Sequence, residues 1–216
     1  MITLVKQIID NDKANHVLND RQLARLLKGS DQRRYGQVNR AIKAGQLIRV
    51  KRGVYVLPNS LRKEPVHPFA LAQQLIPGSY VTAESALSFH GWIPEAVRNV
   101  VSISTKKKSI SYQHDILGKY EFRCMTTQEG YFYHSVTRHK LQNQVALIAE
   151  PVRALMDLIH LRKTAWQGLD YLIEGLRIDE QELKTVPVLS FTNLLNVYKG
   201  KRETQYIEEL AEALAL

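Results

Sequence analysis

Near Gly45 the hydrophobic period of the chain changes from 3.6 to 2. Before that point, apolar residues recur at helical spacing in three short blocks. Ile2, Val5, Ile8 and Ile9 share one face of a helix over 2–11. Leu23, Leu26 and Leu27 follow a start at Asn19 or Asp20 and stop at Gly29. Tyr35, Val38 and Ile42 follow a start at Ser30 or Asp31 and stop near Gly45. Asn, Asp and Ser carry a side-chain oxygen that accepts from the orphan N–H groups of a first helical turn, and Gly tolerates the left-handed turn that ends a helix. After the change, Leu47 to Lys51 and Val54 to Leu57 are β-branched runs around Arg52-Gly53. They read as a hairpin with positive φ at Gly53. Three helices followed by a hairpin is the order of a winged helix-turn-helix.

Charge follows the same division. Residues 1–63 hold 14 Lys and Arg against four acids, whereas 64–216 hold 16 against 17. The whole net charge of +9 therefore comes from the first third. Such asymmetry points to a polyanionic partner for that third and to another task for the rest. On a helical wheel centred on Val38, Arg33, Gly36, Gln37, Arg40 and Lys43 fall opposite Tyr35 and Ile42. Arg reads guanine edges bidentately, and Gln or Asn reads adenine. The expected DNA contacts on this helix are Arg33, Arg34, Gln37, Asn39, Arg40 and Lys43. Those on the hairpin are Arg49, Lys51 and Arg52, placed to hold phosphates. Arg21, Arg25 and Lys28 on the helix before could clamp the DNA backbone. Taken singly, each is a solvated surface charge; repeated across helix and wing, they predict a DNA-binding face.

The remainder reads as an α+β domain with a mostly antiparallel sheet and a helical C-terminus. The expected domains are 1–63 and 64–216, with a polar linker at 59–66. Helices are expected at 68–76, 82–90 and 151–162, and then at 165–175, 179–185, 190–198 and 202–215. Strands are expected at 98–104, 109–113, 119–126, 131–138 and 144–148. Thr82 is the expected helix cap, and Phe89 and Trp92 are expected in the core. Arg153 and Asp157, four apart, are expected to pair on a helix surface for about 0.2–0.5 kcal/mol. Lys106-Lys107-Lys108 is expected in an exposed loop.

Three stretches carry a resemblance. Val38 to Leu57 ends in Arg52-Gly-Val-Tyr55, Tyr80 to Ile93 reads Tyr-Val-Thr-Ala-Glu-Ser-Ala-Leu-Ser-Phe-His-Gly-Trp-Ile, and Ile148 to Ile159 reads Ile-Ala-Glu-Pro-Val-Arg-Ala-Leu-Met-Asp-Leu-Ile. In this order they resemble the AbiEi family of antitoxins and transcriptional regulators of type IV toxin–antitoxin systems. The resemblance runs from 33 to about 162, and the C-terminal residues lie outside it. It implies a repressor of its own operon that binds double-stranded operator DNA through its N-terminal domain. It also implies a C-terminal domain that opposes a nucleotidyltransferase-like toxin without a stable complex.

Motifs for chemistry are sparse. The seven His show no His-Glu-x-x-His spacing, and a single Cys, Cys124, neither forms an internal disulfide nor builds a cysteine zinc site. No phosphate loop, dinucleotide fingerprint or nucleophile elbow occurs. The expectation is a cytoplasmic protein that is not an enzyme, with no cofactor, no metal and no membrane partner. The runner-up is a winged-helix regulator without a toxin partner, whose second domain senses a ligand or mediates assembly. A DNA-acting enzyme and an RNA-binding module are further rivals.

Overall fold

The structure is a computed structural model that describes residues 1–95 and 98–214. It divides into two compact units, Met1–Pro77 with Lys140–Ala146, and Gly78–His139 with Leu147–Leu216.

In the first unit, α1 (Thr3–Asp10) turns Leu4, Val5 and Ile8 inward. A short strand β1 (Leu18–Asn19) leads into α2 (Asp20–Leu26). Asn19 caps α2 in a reciprocal box. Its Oδ1 accepts from the Gln22 N–H at 3.0 Å, and its own N–H donates to Gln22 Oε1 at 2.8 Å. Ser30 Oγ accepts from the Arg33 N–H at the start of α3 (Asp31–Lys43). The hairpin is β2 (Ile48–Lys51) and β3 (Val54–Val56), with Gly53 at φ +79° and a bulge between Arg49 and Lys51. β1 adds to the other edge of β3, with Leu18 opposite Tyr55, in an antiparallel sheet of order β1-β3-β2. This central position buries all three residues of β3. Leu4, Ile8, Leu18, Leu23, Val38, Leu47 and Leu57 meet in one core.

The stretch expected as a linker at 59–66 belongs to this unit. Asn15 Oδ1 accepts from the N–H groups of Lys63 and Glu64, and the Gln144 amide bonds Pro65 O and the His67 N–H. Side chains distant in sequence thus satisfy its backbone, which composition does not reveal. A helix α4 (Pro68–Leu75) follows, with Leu71, Ala72 and Leu75 buried.

A six-stranded sheet has the order β6-β7-β5-β4-β9-β8 and belongs to the second unit except for residues 140–146 of β8 and β9 and the turn joining them, which are part of the first. Its strands are β4 (Tyr80–Val81), β5 (Asn99–Ser104), β6 (Ile110–His114), β7 (Gly118–Cys124), β8 (Val136–Leu141) and β9 (Gln144–Ala149). The helix α5 (Ala83–Phe89) lies between β4 and β5 in sequence. The sheet contains both directions. β6 pairs antiparallel with β7, and β4 with β5, while β5 runs parallel to β7 (Val100 beside Tyr120) and β4 parallel to β9. The chain leaves β5 to form the edge strand β6, then returns as β7 alongside β5. The two-residue β4 is too short to show a period.

The helix α6 (Pro151–Arg162) is buried all round from Val152 to Ile159. Here the expected surface pair is corrected: Arg153 and Asp157 are both fully buried, with Nε to Oδ1 at 2.8 Å. Asp157 also accepts from the hydroxyls of Tyr80 (3.0 Å), Thr82 (2.7 Å) and Tyr198 (2.7 Å). Thr82 makes no side-chain cap for α5; its hydroxyl is turned to the Asp157 carboxylate instead. Arg153 reaches the carbonyl of His134 at 2.6 Å and the hydroxyl of Tyr80. Burial disfavours its charge, but Asp157 and the hydroxyls of Tyr198 and Tyr80 hold its pKa above the ordinary arginine value.

Other local expectations shift. Tyr131-Phe132-Tyr133 forms turns before β8 rather than a strand, where the Arg153 guanidinium meets the His134 and Phe132 carbonyls. Phe89 is 38 % exposed, edge-on to His90 and His139, whereas Trp92 is buried. The expected helix at 165–175 is reduced to a five-residue wide turn at Tyr171–Gly175. The ring of Tyr171 lies over Gly175, 3.2 Å from where a Cβ would stand. Three helices close the unit: α7 (Glu180–Lys184), α8 (Val188–Thr192) and α9 (Lys201–Ala213). Lys106 to Lys108 are exposed between β5 and β6. No helix among the described residues is long and apolar enough to cross a membrane.

Candidate nucleic-acid interface

The basic residues of the first unit are carried by α3 and the hairpin. α3 is held inward by Val38 and Ala41, and also by Gln37, which is only 7 % exposed. Tyr35, expected inside, is 59 % exposed. The buried face is thus turned toward Gln37 and Ala41 and away from Tyr35. Small Ala41 allows close packing there, and a phenol tolerates water better than an aliphatic chain does. This corrects the expectation for Gln37: its side chain is inside, its Oε1 has no hydrogen-bond partner among the described residues, and it is not part of the outward face.

Outward on α3 stand Asp31, Gln32, Arg33, Tyr35, Gly36, Asn39, Arg40 and Lys43. Arg34 is half-buried. Its guanidinium bonds the carbonyl of Gly29 at 2.9 Å and pairs with Asp31, so it braces the start of α3. On the hairpin, Arg49 is exposed and donates to Asn39 Oδ1 at 3.1 Å, which joins wing to helix. Arg52 is exposed at the turn. Lys51 departs from the expected role. It is half-buried, and its ammonium donates to the carbonyl of Leu75, so it is not an open cation of the wing. Arg21 and Arg25 on α2 are exposed, as is Lys28 just after the helix ends.

The electrostatics of this face are simple. Among the described residues, no carboxylate lies within ion-pair distance of Arg33, Arg40, Lys43, Arg49 or Arg52. In the second unit, by contrast, Arg123, Arg162 and Arg177 each meet a glutamate within 2.7 Å. Unpaired cations on one face give a field that attracts phosphate. Gly53 keeps the wing close to α2: a Cβ there would stand 2.8 Å from Asp20 Oδ2. Tyr55 is held near the same place. Burial raises its pKa first, and the Asp20 carboxylate adds to the rise.

One site feature lay beyond sequence reasoning: the Asn39–Arg49 bond joins elements whose distance no spacing reveals. Gly36 is exposed, as its place on the outward face of the wheel predicts, and it costs α3 about 1 kcal/mol relative to Ala. Among the described residues no group of three or more His, Cys, Asp or Glu is arranged to hold a metal ion.

No curated protein matches the chain. A family match covers the segment from within α1 to the residues just after β3, and leaves the similar stretches at 80–93 and 148–159 outside it. Residues 6–58 match the family described as transcriptional regulator, AbiEi antitoxin, so the N-terminal segment is similar to those regulators.

Proposed function

We propose that this chain is an antitoxin that binds operator DNA, represses its own operon and opposes a nucleotidyltransferase-like toxin. The observation that carries the reading is the outward face of α3, where Arg33, Asn39, Arg40 and Lys43 stand exposed, with no acid paired to the cations among the described residues, inside the segment that matches the regulators. On this reading α3 enters the major groove, and Arg33 and Arg40 read base edges. Arg49 and Arg52 hold phosphates from the wing, and Arg49 also keeps Asn39 in place. Repression is occupancy of the promoter. The toxin half of the reading rests on the resemblance of the stretches at 80–93 and 148–159, and the second unit supplies that activity without a stable complex. DNA, the toxin as a functional partner, and no cofactor complete the proposal, which places the chain in the cytoplasm.

The test pairs two measurements. Fluorescence anisotropy reads binding to the duplex upstream of the gene. A growth assay expresses the adjacent reading frame with the full chain or with the triple variant Arg33→Ala, Arg40→Ala, Lys43→Ala. The expected result is DNA binding by the full chain only, and growth rescue by both. Failure of the full chain to bind duplex DNA sinks the repressor reading. An adjacent frame that arrests no growth leaves a winged-helix regulator without a toxin.

A further inference from the structure

The middle of α3 holds a glycine that the fold does not use. Gly36 sits inside a regular 13-residue helix with Ser30 as its cap, so it neither starts nor ends the element. It is absent from the glycines at positive φ, so no left-handed backbone calls for it. A Cβ added at Gly36 would meet no atom within 4 Å, so no close packing calls for it either. It is exposed. An interior glycine weakens a helix, since it adds freedom to the unfolded chain and buries nothing. Its surroundings are the opposite of bare. Gln32 and Arg33 lie four and three residues before it, and Asn39 and Arg40 three and four after, all exposed and all neighbours on one helix face. The result is a strip of naked backbone walled by four polar side chains.

A helix with its side chains is about as wide as the major groove of B-DNA, so the depth it reaches depends on the bulk facing the groove floor. The geometry points to Gly36 as the point where α3 approaches the base edges of duplex DNA most closely, a position that sets specificity by letting the flanking Arg33, Asn39 and Arg40 reach those edges. This rests on the DNA-binding reading above. A methyl group at Gly36 lifts the helix off the groove floor. Base contacts then lengthen, while phosphate contacts from Arg49 and Arg52 on the wing adjust with the helix.

The experiment uses the full chain. The wild-type protein selects a preferred duplex from a random-sequence pool. That duplex and an unselected random duplex are then titrated against wild type and Gly36→Ala at fixed salt, and melting temperatures are recorded. The expected result is a melting temperature raised by about 2–4 °C. Affinity for the selected duplex falls about ten-fold or more, the scale of one lost bidentate base contact. Affinity for the random duplex stays within about two-fold, since it depends on phosphate contacts. Equal affinity of both proteins for the selected duplex overturns the proposal, as does an equal loss on both duplexes. A melting temperature that falls also overturns it, because the fold would then need the glycine. If the wild-type chain selects no duplex at all, the DNA-binding reading itself fails, and the role of Gly36 fails with it.

Discussion

Gln37 shows how far a single side chain can depart from its position on a helical wheel. The wheel treats Tyr35 and Gln37 by residue type, which favours the aromatic side as the inner one. The packing prefers the side with Ala41 and leaves the Gln37 amide oxygen without a partner among the described residues. A buried unsatisfied acceptor costs about 1–3 kcal/mol. Gln37→Met keeps the volume and removes the acceptor, so urea unfolding is expected to show equal or higher stability, with DNA affinity unchanged. A loss of affinity confined to one base pair would return Gln37 to the reading face. Arg153 is the reverse case, a charge expected in water and found inside. Removing it strands Asp157 among buried hydroxyls, so Arg153→Ala is expected to cost about 3–5 kcal/mol. A loss below about 1 kcal/mol in denaturant titration would show that water reaches the carboxylate. Gly53 combines φ +79° with the approach to Asp20. Gly53→Ala strains the turn by about 1–3 kcal/mol, read as a lower melting temperature, and an unchanged one would mean that the turn can re-form.

The hairpin and the helices α2 and α3 were legible because each carries its own punctuation, Asn19, Ser30, Gly45 and Gly53, and α1 through its apolar face; the two-residue β1 carries none. The buried helix α6 was legible as a helix but not as a central one. The signal was there, since Val152, Ala154, Leu155, Met156, Leu158 and Ile159 leave no polar stripe apart from Arg153 and Asp157. The strand expected at 131–138 fails over its first half, because alternating aromatics describe a turn that wraps a guanidinium equally well. At α9, Gly200 precedes Glu203, whose carboxylate occupies the place a Gly200 Cβ would take. Burial alone raises the Glu203 pKa, but hydrogen bonds from Arg202, its own backbone and His160 bring it below the ordinary value of 4.5. A carboxylate with a lowered folded pKa stabilises the fold above its unfolded pKa, and that stability is lost as pH falls through the folded value. Glu203→Gln is therefore expected to lower unfolding free energy at pH 7, with the gap to wild type closing below pH 4.5. A gap independent of pH would assign the effect to shape instead of charge.

For the molecule as a whole, the charge excess and the compact units do not share a boundary. The basic segment ends at Lys63, whereas the first unit extends to Pro77 and takes in Lys140–Ala146. Truncation at residue 63 or 77 therefore removes part of a unit, and point variants on α3 are the cleaner tool. If six phosphates are engaged, log affinity against log salt is expected to fall with a slope of about −5. A nearly flat dependence, measured by anisotropy across a salt series, would reject phosphate contacts as the source of affinity. Local sequence was enough for the α+β class, the three helices and wing of the first unit, and the concentration of cations there. Caps, turns and hydrophobic period act within a few residues, and charge adds along the chain whatever the fold. Packing settled the rest: which side of α3 faces out, the withdrawal of Lys51 to the Leu75 carbonyl, the burial of Arg153 with Asp157, and the strand order of the larger sheet. Each of these depends on partners far apart in sequence, whose meeting lowers the free energy only once the core has closed around them.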